Sequence, residues 1–109
     1  MSTNTSNLTI YIKAVQNVEL QTEDVYVKDI GKLSCSDAIA LAKIKSIKLH
    51  HFAKGQPKRQ VISILKVIEE IEKLYPQASI EVVGETDTLV ELINVNRHKG
   101  PLQAAKLFL

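Results

Sequence analysis

The side chains best suited to chemistry cluster in one stretch, His50-His51-Phe52 followed by Lys54, Lys58 and Arg59 in AKGQPKR. Two adjacent histidines on a strand point to opposite faces, so His50 and His51 do not share a metal. His98 lies far away, with no acidic residue or cysteine at ligand spacing, and no metal site is expected. Cys35 sits between Ser34 and Ser36 near a predicted helix start, where a thiolate is favoured, but no base is in view. It reads as a small buried residue. Glu69, Glu70 and Glu72 alternate with Lys66 and Lys73 at helical spacing, which describes a solvated face carrying i,i+4 pairs. Gly31, Gly55, Gly84 and Gly100 stand alone and build no phosphate loop. What remains is a basic, partly aromatic cluster of His50, His51, Phe52, Lys54, Lys58 and Arg59. Such a cluster suits a phosphate, a lipid headgroup or a partner's acidic surface. No catalytic constellation is visible, so the expectation is a protein that is not an enzyme and carries no cofactor.

Composition narrows little further. The chain has 109 residues and a formal net charge of +2, too weak a bias to imply nucleic acid or an anionic membrane. A single cysteine rules out an internal disulfide. The opening MSTNTSN has neither the basic nor the apolar region of a signal peptide. No apolar run reaches the length of about 18 residues that a membrane helix needs.

The elements that must position the cluster are those of an α+β chain. The strongest is Gln60–Tyr75, where Val61, Ile64, Leu65, Ile68, Ile71 and Tyr75 recur at helical spacing. Pro57 lies before it and Pro76 stops it. Before the helix, Leu8–Ala14 alternates as a half-buried strand, Val18–Thr22 is extended, and Val25–Val27 is a short strand. Val27, Ile30 and Leu33 predict one helical turn, which Gly31 can close in a left-handed conformation. Ser36 is the expected N-cap of a short helix over Asp37–Lys43, and Ser46–Phe52 is the next strand. Ala53–Arg59 is a loop. Ala78–Val83 and Thr88–Asn96 flank a turn at Gly84–Asp87 and should form a hairpin. The expected organisation is a disordered tail over 1–7, one αβ half over 8–53, a second over 54–97, and a hinge over 98–109. The halves share a core as two small packed αβ layers, with mixed or antiparallel sheets and one long helix. The final stretch, RHKGP followed by LQAAKLFL, reads as a basic hinge leading into a membrane helix. Arg97, Lys99, Leu107, Phe108 and Leu109 would then be membrane-proximal, the alternative being a short helix docked on the sheet.

Four segments, LTIYIKA, VYVKDIGKL, VISILKVIEEIEKLYP and SIEVVGETDTLVELI, together resemble the N-terminal soluble region of the stage V sporulation protein AA family. The resemblance runs over almost the whole chain, and none of its segments is a catalytic signature. It implies BON-like αββαβ subdomains of the lipid- or partner-binding kind, followed by membrane segments. It also implies a place in an assembly of the inner membrane of the developing spore, which moves dipicolinic acid with calcium and is linked to its release at germination. The implied partners are the other subunits of that channel and the membrane, not nucleic acid. The resemblance places the domain on the intermembrane side, whereas Arg97, His98 and Lys99 beside a span point to the cytoplasmic side. The alternative function is a stand-alone nucleic-acid or phosphate-binding module using Lys54, Lys58 and Arg59.

Overall fold

The computed structural model describes residues 8–93. The strands are β1 (Thr9–Ala14), β2 (Asn17–Leu20), β3 (Asp24–Tyr26), β4 (Gly31–Cys35), β5 (Lys48–His51), β6 (Arg59–Ser63), β7 (Ser79–Gly84) and β8 (Asp87–Leu92). The helices are α1 (Ala38–Lys45) and α2 (Ile64–Leu74), with a 3-10 turn at Val27–Asp29. One sheet runs β4-β1-β7, a second runs β2-β8-β6, and β3 pairs with β5. Both three-stranded sheets are mixed: β1 is antiparallel to β4 and parallel to β7, while β8 is parallel to β2 and antiparallel to β6. The α+β expectation with mixed sheets holds.

The expected hairpin does not form. β7 pairs with β1, and β8 with β2 and β6. The reason lies at the chain's central break. The parallel ladder runs from Thr9↔Ser79 to Ala14↔Gly84, stops, and resumes from Asn17↔Leu89 to Leu20↔Leu92. Between the two ladders lie Val15 and Gln16 on one side and residues 85–88 on the other. Gly84 makes the wider excursion possible: its φ is +91°, and a Cβ there would stand 2.6 Å from Ala14 O. Three bonds stitch the break. Glu85 N donates to Ala14 O (3.2 Å), Leu89 N to Gln16 O (2.9 Å), and the Thr88 hydroxyl to Val15 O (2.6 Å). Residues 9–20 and 79–92 are thus one long parallel ribbon that steps from the first sheet into the second.

β1 is a strand because its residues alternate. Leu8, Ile10, Ile12 and Ala14 are buried while Tyr11 and Lys13 face out, as the sequence predicts. The long helix is shorter than its periodicity suggests, and its front is strand. Val61 and Ile62 are β-branched, suit a pleat, and pair with Leu89 and Thr88 of β8. Ser63 caps the helix, its Oγ accepting from Leu65 N at 3.1 Å. Starting at Ile64 rotates the buried face. Ile64, Val67 and Ile71 are buried, Ile68 and Tyr75 pack at the margin, and Val61 and Leu65 lie exposed. Each fully buried aliphatic side chain contributes roughly 1.5–3 kcal/mol. The helix packs beside β5 and β6.

Two smaller expectations also shift. Val27–Asp29 does turn, with the Asp29 carboxylate accepting from Tyr26 N at 2.8 Å. Gly31, however, closes nothing in a left-handed conformation. It opens β4, and a Cβ there would run into the backbone at Lys13 and Ala14 of β1. Ser34 and Cys35, which sit near the predicted helix start, belong to that strand. Asp37 instead of Ser36 caps α1, accepting from Ile39 N and Ala40 N at 2.9 and 3.1 Å.

An α-β-β-α-β order occurs once, as α1-β5-β6-α2-β7. Its strands fall into different sheets, β5 with β3, β6 with β8 and β7 with β1. The buried side chains form one core cluster, drawn from both 8–53 and 54–93. The expected tail over 1–7 and hinge over 98–109 lie outside the described residues.

Candidate functional site

Alternation on β5 and the strand pairing around it divide the basic cluster. His50 lies against Phe52, ring centroids 4.7 Å apart in an edge-on arrangement. His51 Nδ1 is 2.7 Å from Asp24 Oδ1 across the β3–β5 ladder. A carboxylate only accepts, so that ring nitrogen donates. This bond, with Lys48 Nζ at 3.6 Å, holds the Asp24 carboxyl below its ordinary value. Arg59 is taken by β8: its Nε meets Glu91 Oε2 at 3.0 Å, the two residues being direct cross-strand partners. The acidic face of α2 is solvated, with Glu70 bridging Lys73 and Lys66 at 2.9 and 3.2 Å, and both lysines lower its pKa. Cys35 is half-buried against the core at the end of β4. Among the described residues no group of His, Cys, Asp and Glu is placed to hold a metal ion.

Phe52, Lys54 and Lys58 come together in a cleft of about 390 Å³. Gln21 and Glu23, between β2 and β3, form one part of its wall; Ala53, Lys54, Gly55 and Lys58, between β5 and β6, form another. Buried Phe52, with Leu92 and Ile93 at the end of β8, completes an apolar floor. Backbone bonds fix these pieces to one another. Phe52 N donates to Glu23 O (2.9 Å), Leu92 N to Lys58 O (2.8 Å) and Ile93 N to Leu20 O (2.8 Å). The loop itself turns at Gly55, whose φ of +79° suits glycine, and Gln56 N closes it onto Ala53 O at 3.2 Å.

Of the residues singled out by sequence, Phe52, Lys54 and Lys58 line this cleft; His50, His51 and Arg59 do not. Gln21, Glu23, Leu92 and Ile93 were not foreseen. Nothing local marks them, because only the β2–β8 pairing and the Lys58–Leu92 bond bring them to the loop. The expected membrane-proximal residues, Arg97, Lys99, Leu107, Phe108 and Leu109, lie outside the described residues. Among the described residues no helix is long and apolar enough to cross a membrane.

Comparison with known proteins adds two findings. Residues 7–96 match the family described as Stage V sporulation protein AA. The crystal structure of a functionally unknown protein from Eubacterium ventriosum ATCC 27560 is similar to this chain at 34% identity and a TM-score of 0.75. That match covers 80% of this chain and 95% of the other. No curated protein sequence matches.

Proposed function

This chain belongs to the stage V sporulation protein AA family, and on that premise we propose that residues 8–93 form a non-enzymatic docking domain of a sporulation membrane protein. The parent assembly, in this reading, moves dipicolinic acid with calcium across the inner membrane of the developing spore. The domain sits on the intermembrane side, and its cleft meets lipid headgroups beside the channel's other subunits. The observation that carries this is the cleft's floor. Leu92 and Ile93 belong to it, so the chain leaves the described domain beside Lys54 and Lys58. If residues 98–109 lead into the membrane, the cleft lies toward the bilayer surface. Juxtamembrane cations are then favoured by anionic lipid. The αββαβ order of Ala38–Gly84 fits the BON-like, lipid- or partner-binding kind of module.

The lining of the cleft pairs no nucleophile with a base, which supports a binding rather than a catalytic role. A nucleic-acid module is the weaker reading. Tracking phosphates takes a row of free cations, and Arg59 is already paired with Glu91.

The test uses the full membrane protein in a spore former. Lys54→Glu combined with Lys58→Glu should lower the dipicolinic acid content of mature spores while the protein accumulates normally. Normal content and normal release at germination would overturn the role given to this cleft.

A further inference from the structure

The cleft carries charges of both signs, and headgroup attraction as proposed above uses only one. Glu23 lines the same cleft as Lys54 and Lys58, and among the described residues none of the three takes part in an ion pair. Elsewhere on the domain Asp24 pairs with Lys48 and His51, Arg59 with Glu91, and Glu70 with Lys66 and Lys73. Glu23 and the two lysines thus bring unpaired charges of both signs to one cleft. The bonds from Phe52 N to Glu23 O and from Leu92 N to Lys58 O tie the backbone of both wall segments to the floor. A cleft with unpaired charges of both signs beside an apolar floor complements a ligand that carries an anion, a cation and an apolar part. About 390 Å³ lies in the range of small-molecule sites.

We propose that the cleft binds a zwitterionic phospholipid headgroup bearing a primary ammonium, that is, phosphoethanolamine chemistry. The two free oxygens of the phosphodiester give Lys54 and Lys58 an acceptor each. The ammonium donates to the Glu23 carboxylate, and the first carbons of the lipid lie on Phe52, Leu92 and Ile93. A choline headgroup fits less well, because its quaternary nitrogen has no N–H to donate. The proposal rests on the headgroup reading above and names which headgroup.

The test sediments this protein with vesicles of phosphatidylcholine alone, or of phosphatidylcholine mixed with phosphatidylethanolamine or with phosphatidylglycerol. Soluble phosphoethanolamine is titrated in parallel by NMR. Phosphatidylethanolamine should improve binding over phosphatidylcholine by about fivefold, the upper end of what one exposed charge pair contributes. Glu23→Gln should lose that preference while still binding phosphatidylglycerol, and its unchanged melting temperature confirms the fold. Lys54→Glu with Lys58→Glu should lose both. A missing phosphatidylethanolamine advantage, or one that survives Glu23→Gln, overturns the proposal. If phosphatidylglycerol still binds in a lysine-dependent way, the headgroup reading stands without it. Binding of soluble phosphoethanolamine without binding to its vesicles overturns the lipid source. Failure on every vesicle overturns the headgroup reading as well.

Discussion

Replacing Thr88 with valine isolates the bond that holds the central break of the ribbon. Among the described residues Thr88 is the one buried polar residue, at 1% exposure, and its hydroxyl donates to Val15 O at 2.6 Å. Val15 lies between the two parallel ladders, so no strand neighbour can serve its carbonyl. Thr88→Val keeps the shape and the β-branch and removes only the donor. Val15 is itself 40% exposed, so water reaches the freed carbonyl and the loss is that of a typical intramolecular hydrogen bond, about 0.5–1.5 kcal/mol. At about 4–8 °C per kcal/mol for a domain of this size, the melting temperature should fall by roughly 2–12 °C. Thermal and urea unfolding followed by circular dichroism would read both. Thr88→Ser serves as the control: it keeps the donor and loses a methyl, at about 0.8 kcal/mol. A valine variant as stable as the parent would mean that the hydroxyl does not hold the break, and that Gly84 and the backbone bonds suffice.

Two further outcomes follow from burial and charge. Ile71→Ala should cost about 2–5 kcal/mol, whereas Leu65→Ala should stay within about 0.5 kcal/mol by urea unfolding; a comparable cost at both would mean that the buried face of α2 is the wider one that periodicity suggests. The folded-state pKa of Asp24 is lowered from 3.8, chiefly by its bond to His51, so its stabilisation is present above that value and is lost as the pH falls through the folded pKa. Asp24→Asn should therefore lose less stability than the parent below about pH 4, and parallel stability-against-pH curves would refute the assignment.

Local periodicity told the truth where a single neighbour shell decides the outcome. Leu8, Ile10, Ile12 and Ala14 alternate and are buried, and Ile64, Val67 and Ile71 supply the core at helical spacing. It failed where a distant partner decides. Gln60–Ser63, with Val61 and Ile62 adjacent between two polar residues, shows no alternation of its own, and only its ladder with β8 makes it a strand. β4 does alternate, with Gly31, Leu33 and Cys35 half-buried and Lys32 and Ser34 exposed, but the spacing of three over Val27, Ile30 and Leu33 competes with that signal and reads as a helical turn. Gly31 and Gly84 look alike in sequence, yet one is needed for the close approach of β1 and the other for a positive φ. Lys54, Lys58 and Phe52 were legible as a site because they are neighbours in the chain. Glu23 and Ile93 were not, since strand pairing alone delivers them.

That difference bears on how the cleft can behave. Its walls come from residues 21–23 and 53–58, and its floor from Phe52, Leu92 and Ile93. The first wall is joined to the floor through the β2–β8 ladder, and the second through the Lys58–Leu92 bond beside the β6–β8 ladder. Both ladders start from β8, whose register is set at the break where Thr88 meets Val15. The cleft is consequently not a loop feature that can form on its own. It exists only when the end of the chain has found the beginning. A ligand held between Glu23 and the lysines therefore favours the same strand pairing that builds the core. By linkage its binding free energy adds to the stability of the whole domain, not of one loop.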